Sequence, residues 1–277
     1  MKSNLITYAI LTSTLTVFGL TTACDESVKM EMSMTQREKV SKEEWMVLVQ
    51  RHIIFGHQSV GNNILSGVRT LAKQAGVNLP VTESRSSGSS PGITHFKVGR
   101  NEDPLSKIKD FVSVVEGCAV QKADIALMKL CYIDFDSRTN AKKLAEEYCS
   151  SLDQLSRQFP RTNFIAVTTP LTTIQSGPKA WVKQLLGRTP SGYAENARRQ
   201  EFNDFLRTHY YWQGRLFDLA KIEADGADNC QFQGHPLEIL NPALTDDGAH
   251  LNSLGEQYVA AKFLKFIAAL PFSEKDK

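Results

Sequence analysis

The stretch "RHIIFGHQSVGNNILSG", residues 51–67, opens as a buried strand at Ile53, Ile54 and Phe55 and closes as an amphipathic helix at Ile64, Leu65 and Val68. Between them lies Gly-His-Gln-Ser-Val-Gly, so a serine, Ser59, stands where a strand turns into a helix. There its N–H joins the unpaired donors of a helix N-terminus, a place that stabilises negative charge. A serine at such a junction has two readings. It caps the helix, or the turn holds it out to react, in which case it needs a base, because a hydroxyl alone is a weak nucleophile.

Working outward, the strand-then-helix unit recurs. "NLPVTES" leads through a Ser/Gly-rich loop to a helix over 103–116, and "ADIALMKLCY" to one over 138–158. "NFIAVTTP" leads after a long insertion to a helix over 195–212, and "RLFDLAKI" to a loop and a last helix over 253–269. Several strands are continuous apolar runs, which implies cover on both faces. Five such strands alternating with helices predict an α/β fold, a parallel sheet sandwiched by helices. Ligands of such sheets sit beyond the carboxyl ends of the strands. Attention therefore falls on 56–59, 85–101, 132–136, 168–173 and 226–250. Ahead of the first strand, Ser41 and Glu44 form a capping box for a short helix.

The carboxyl-terminal stretch "LTDDGAHLNSLGEQYVAAKF" supplies a base. It sets Asp247 three residues before His250, directly ahead of the last helix. One loop can then present an imidazole together with the carboxylate that holds its Nδ1–H, leaving Nε2 to accept the serine proton.

With these residues in place the chain resembles the SGNH/GDSL hydrolases over roughly residues 48–270. The nucleophile block is similar at "IIFGHQSVG", with His57-Gln58 where the family has Gly-Asp. The block ending Gly-x-Asn-Asp is similar at "DIALMKLCYIDF", with Cys131, Ile133 and Asp134 in the glycine, asparagine and aspartate places. Asp247 and His250 match the last block, and "ARRQEFNDFLR" with "GRLFDLAKIEA" is similar to the penultimate helix and fifth strand. The resemblance implies a flavodoxin-like three-layer α/β/α sandwich with a five-stranded parallel sheet. It also implies a Ser59–His250–Asp247 triad acting on carboxylic esters through an acyl-enzyme.

The family's asparagine donates to the oxyanion, which Ile133 cannot do. Loss of one such donor costs about 10²–10³ in rate. Replacement donors are Asn62, Asn63, Asn101, Tyr132 and the Ser59 N–H, of which the Asn101 loop is favoured. Gly99, with Gly92 as alternative, fits the family glycine whose N–H completes the hole. His57 either packs beneath the turn or flanks the pocket as a donor. Asp134 either orients the active-site loops, as the resemblance implies, or caps a turn. Cys131 is a rival nucleophile or, at the end of a buried strand, inert packing. Lys129 pairs with Asp134 or Asp136, or snorkels. The insertion over 171–196 carries Trp181, Tyr193, Lys179, Lys183 and Arg188 and forms either a lid or sugar-stacking wall, or a plain surface loop. Tyr210, Tyr211 and Trp212 lie in a helix and are expected to pack.

The expected substrate is an O-acetyl or other short acyl ester on a carbohydrate. Acyl transfer to an envelope polysaccharide by the same triad is the alternative, and Ile133 keeps open a third reading, a non-catalytic binding module. A net charge of +2 with no basic stripe argues against nucleic acid as partner. No CxxC or HExxH supports a metal, and no cofactor is expected.

Residues 1–23 read as a secretory signal, with Lys2 ahead of an apolar run from Leu5 to Leu20. Ala23-Cys24 resembles a bacterial lipobox, in which Cys24 is lipidated, although Leu20 sits one place early and Thr21-Thr22-Ala23 also passes as an ordinary signal-peptidase site. Residues 24–40 then form a tether and 41–277 the catalytic domain. The expected location is the cell envelope, with the N-terminal lipid as the sole membrane contact. Cys118, Cys131, Cys149 and Cys230 would be left, free or in one of three pairings.

Overall fold

The computed structural model describes residues 39–86, 90–119 and 123–272. The expected signal, Cys24 and nearly all of the tether lie outside them. The described residues begin with α1 (Lys42–Leu48), whose capping box is formed: Ser41 Oγ accepts from Glu44 N–H, and the Glu44 carboxylate accepts from Ser41 N–H. Then follow β1 (His52–His57), α2 (Val60–Ala75), β2 (Val81–Glu83), β3 (Gly92–Lys97), α3 (Pro104–Val114) and β4 (Ile125–Met128). Next come α4 (Ala141–Gln158), β5 (Asn163–Val167), α5 (Pro178–Leu185), α6 (Tyr193–Tyr210), β6 (Leu216–Phe217) and α7 (Leu219–Glu223). A small antiparallel pair, β7 (Cys230–Phe232) and β8 (His235–Leu237), precedes α8 (Ser253–Ala269).

The main sheet is six-stranded and wholly parallel, in the order β2-β3-β1-β4-β5-β6. Helices α1, α2, α7 and α8 pack on one face and α3, α4 and α6 on the other, which is the expected α/β/α sandwich. Without the three-residue edge strand β2, the order is that of a flavodoxin-like sheet. The chain leaves β1 toward β3 on one side and leaves β4 toward β5 on the other. The crevice where such sheets hold ligands therefore lies between the carboxyl ends of β1 and β4.

Three sequence expectations need correction. Tyr211 and Trp212, expected to pack, lie past the end of α6 and are exposed. The sheet has six strands rather than five: "NLPVTES" supplies only the short β2, and the second full strand is β3, inside the segment 85–101 read as loop. Its Ile93 and Phe96 are buried while Thr94 and Lys97 are less so, and the Gly/Ser-rich stretch before it hid a strand. The fifth strand is only Leu216–Phe217, because Asp218 accepts from Lys221 N–H and starts α7 where the strand was expected to continue.

Close contact between α2 and α8 joins the two ends of the chain. A Cβ on Gly67 would meet the Glu256 carbonyl oxygen at 2.1 Å, so glycine is required there. Asn63 Nδ2 donates to Glu256 Oε1 at 2.8 Å, and Ser66 Oγ donates to Glu256 Oε2 at 2.7 Å. On the sheet side Phe263 packs between Phe55 of β1 and Phe217 of β6.

Candidate active site

Ser59 sits between β1 and α2 with φ 47° and ψ −110°. Only three non-glycine residues have positive φ among the described residues: Ser59, Glu102 and Gln233. The first two stand on the rim above the sheet, and such conformations persist only where the surroundings enforce them. The enforcement at Ser59 is visible. His57 fills the space below the turn so tightly that a Cβ on Gly61 would lie 2.4 Å from its ring. Gln58 Nε2 donates to the carbonyls of Val98 and Gly99 at 2.7 and 2.9 Å, tying the turn to the end of β3. The Ser59 side chain does not cap α2, so the capping reading fails and the hydroxyl is free for another partner.

That partner is His250. Ser59 Oγ lies 2.7 Å from His250 Nε2, and His250 Nδ1 lies 2.7 Å from Asp247 Oδ2. Partial burial pushes the Asp247 carboxyl up, but the His250 N–H, the His250 ring and the Ala249 N–H outweigh it and hold the group well below the usual carboxylate range. An ionised Asp247 keeps the proton on Nδ1 and turns the Nε2 lone pair toward the serine. The loop is fixed by Gly248, whose N–H donates to Thr245 Oγ1 and whose carbonyl accepts from Thr173 N–H. Asn252, accepting from Gly255 N–H, caps α8 directly behind His250. The three residues expected to act together thus meet across 191 positions of sequence.

The oxyanion side departs from expectation. The Gly99 N–H donates to Asp110 Oδ2 at 2.9 Å and is not free for a substrate. Gly92, its alternative, starts β3 at the far end of the sheet. Asn101 Oδ1 accepts from Lys107 Nζ at 3.0 Å, which joins it to a buried pair rather than to Ser59. Asn62 is exposed and only its backbone N–H bonds to Ser59, donating to the Ser59 carbonyl, while Asn63 is spent on the α2–α8 contact, bonding to Leu251 and Glu256. His57 is wholly buried and bonded to His95 at 3.1 Å. Its burial, then the charge of Lys129, lowers its pKa to about 3. It packs beneath the turn and does not flank the pocket.

The Asp134 carboxylate is likewise spent on protein partners. Both its oxygens lie 2.7 Å from Lys107 Nζ, and it also accepts from the N–H groups of Cys131 and Glu102. It thus fastens the loop after β4 to the loop after β3, the orienting role the resemblance implied. Lys129 is therefore not its partner. Lys129 Nζ donates to the Leu130 carbonyl and toward Cys131 Sγ. Cys131 is fully buried, which rules it out as an accessible nucleophile. Cys131, Cys149 and Cys230 form no disulfide among the described residues, and burial pushes the Cys149 thiol up to about 12.

The donor that does reach the reacting atoms is Tyr132, where the family pattern has a variable residue. Its hydroxyl is 3.4 Å from His250 Nε2. Burial, then the Asp247 charge, raises its pKa, so it stays protonated. Its ring stands edge-on to His250. Arg199, from α6, holds it from below: Nε donates to the Tyr132 carbonyl at 3.1 Å, Nη1 donates to Thr172 and Asn196, and the guanidinium lies beside the ring. Ser59 and Tyr132 stand at the ends of β1 and β4, the two sides of the crevice that the strand order defines. Proximity to Tyr132 was legible from its place after the strand; the support by Arg199 was not, because it comes from a helix 67 residues away. The fold that brings them together is a flavodoxin-like α/β/α sandwich.

No protein-family model and no curated protein matches the sequence. Solved structures similar to this chain include the periplasmic domain of a lipopolysaccharide acetyltransferase from Salmonella ser. Paratyphi A. That likeness has 11% identity, 90% of this chain and 98% of the other covered, and a TM-score of 0.44. A carbohydrate esterase family 3 protein from Talaromyces cellulolyticus is similar at 16% identity, 78% and 94% coverage and a TM-score of 0.43. A protein provisionally named a lipolytic protein of the G-D-S-L family, from Desulfitobacterium hafniense DCB-2, is similar at 10% identity, 77% and 98% coverage and a TM-score of 0.46. At these values the chemistry of the site rests on the geometry of this chain.

Beside the relay lies an open cleft of about 760 Å³, a size typical of small-molecule sites. Tyr132 and exposed Ile133 form its wall nearest the relay, and Glu102, Glu195 and Arg199 contribute charge of both signs. Among the described residues no group of three or more His, Cys, Asp or Glu is arranged to hold a metal.

Proposed function

We propose that the chain is a serine hydrolase of carboxylic esters, with Ser59 as nucleophile, His250 as general base and acid, and Asp247 orienting the imidazole. The observation that carries the reading is the continuous relay of two 2.7 Å contacts, Ser59 to His250 and His250 to Asp247. His250 Nε2 takes the Ser59 proton as Oγ attacks the ester carbonyl. The tetrahedral oxyanion is met by the Tyr132 hydroxyl in place of the missing asparagine and by the Ser59 N–H, which has no partner among the described residues. His250 then protonates the departing alkoxide, and water repeats the sequence on the acyl-enzyme.

The substrate class we propose is a short acyl ester of a carbohydrate. The cleft favours it: carboxylates, a guanidinium and an aromatic ring in its lining suit a polyhydroxylated ligand, and it is an open groove rather than an acyl tunnel. Acyl transfer would use the same relay with a sugar hydroxyl in place of water. Ile133 favours the remaining alternative, a binding module, because it removes the family's donor. Against that, a decayed site has no need to keep the relay within hydrogen-bond distance.

Fluorophosphonate labelling decides between them. Labelling of the wild type, absent in Ser59→Ala and in His250→Ala, is the expected result. No labelling of folded wild type rejects the hydrolase and leaves the binding module. Release of acetate from acetylated sugars, with and without an added sugar acceptor, separates hydrolysis from transfer. We also propose export with lipidation of Cys24, supported by the sequence of residues 1–24. Metabolic labelling with a fatty acid, lost in Cys24→Ser, checks it.

A further inference from the structure

Helix α5 carries an apolar face with no cover. Trp181, Val182, Leu185 and Leu186 are 62%, 47%, 66% and 65% exposed, four of the ten large hydrophobic side chains exposed among the described residues. At about 100° per residue these positions fall on one side of the helix. Its opposite side is the anchored one: Ala180 is buried, and Lys183 Nζ donates to Gln175 and Ser191. A single exposed leucine is ordinary, but four contiguous ones mark an interaction surface.

The charge beside this face selects its occupant. Residues 171–194 contain Lys179, Lys183 and Arg188 and no acidic residue. Lys179 and Arg188 are exposed and project from the same short segment as the apolar side chains. A second copy of the chain laid on this face would set cation against cation. A bilayer bearing anionic headgroups satisfies both features, since the apolar side chains enter the acyl boundary while the cations stay at the headgroups. Trp181 brings an amphipathic ring suited to that boundary.

The structure also gives the helix a position relative to the relay. Ser191 and Gly192, just beyond α5, line the cleft. Thr173, just before it, donates its N–H to Gly248 in the His250 loop. We propose that α5 docks the domain on an anionic lipid surface and brings the mouth of the cleft against it, a membrane contact separate from any N-terminal lipid. The proposal does not depend on what the relay does chemically.

Trp181 reports directly. Trp45 is buried, so in full-length protein carrying Trp212→Phe the exposed tryptophan is Trp181. Vesicles of phosphatidylcholine with phosphatidylglycerol should shift its emission to the blue, and brominated acyl chains should quench it; pure phosphatidylcholine should do so far less. Adding Lys179→Gln and Arg188→Gln should weaken the lipid titration by about 30-fold, and Leu185→Asp with Leu186→Asp should abolish the shift. Protein that co-sediments with anionic vesicles while Trp181 emission stays unchanged overturns the proposal. So does loss of self-association in the leucine variants without any lipid response, which would make α5 a contact between copies. Fluorophosphonate labelling of the same variants reports the relay separately.

Discussion

The two halves of the rim were built by different rules. On one side the Ser59 turn and the Asp247–His250 loop resemble the family pattern at Ser59, Asp247 and His250, and their geometry closes with two 2.7 Å contacts. On the other side the loops after β3 and β4 match it poorly. The glycine N–H is turned to Asp110, the asparagine is Ile133, and the framework is a buried Lys107–Asp134 pair. A proton relay needs three particular side chains in a fixed chain of contact, so few sequences serve. An oxyanion needs only an N–H or O–H at the right point, and Tyr132 can supply it from a position the family pattern leaves open.

Several measurements would break or sharpen this contrast. Breaking the relay should have the largest effect: Ser59→Ala or His250→Ala should lower kcat for a nitrophenyl ester by about 10⁶-fold. Asp247→Asn should lower it by about 10⁴-fold. Equal, modest losses from all three would mean that the relay is not a unit. Next comes the rebuilt side. Tyr132→Phe should lower kcat by about 10²–10³ with little change in KM, by the same factor for good and poor leaving groups. A loss that grows with leaving-group pKa would move Tyr132 from the oxyanion to the alkoxide. Ile133→Asn in that background should recover part of the rate if the two residues address the same oxygen.

Stability should separate the halves as well. Lys107→Met strands the Asp134 carboxylate in a buried place and should cost about 3–5 kcal/mol in chemical denaturation, whereas Lys107→Met with Asp134→Leu should cost much less than the two single changes added. The same burial should also show in the pH dependence of stability. His57, under the relay, has its pKa lowered from 6.5 to about 3 by burial and then by Lys129. Below pH 6.5 the unfolded chain binds a proton the fold refuses, so stability should fall from pH 6.5 toward 3. Glu223 accepts from the Leu171 N–H near Arg199, and burial raises its pKa from 4.5 to about 8. Above pH 4.5 the unfolded chain ionises while the folded carboxyl stays neutral, so this group offsets the His57 slope between pH 4.5 and 6.5 and makes stability fall as pH rises from 6.5 to 8. Glu223→Gln should flatten the alkaline fall and leave the acid one; thermal midpoints across pH would read both.

The sequence by itself determined the alternation of strand and helix, because both-face burial writes continuous apolar runs and amphipathic helices write their own period. It marked α8 to the residue. It also identified Ser59, Asp247 and His250, since each belongs to a local pattern at a strand or helix end. It missed β3 beside a Gly/Ser-rich stretch and carried the fifth strand too far, across the Asp218 cap. What only the tertiary structure decided was which polar groups are spent on one another. Gly99, Asn101, Asn63 and His57 all read as donors in the sequence, and each was claimed by a partner distant in sequence or on a neighbouring turn: Asp110, Lys107, Glu256 and His95. A buried polar group must find a partner, and which one it finds depends on how the helices lie across the sheet.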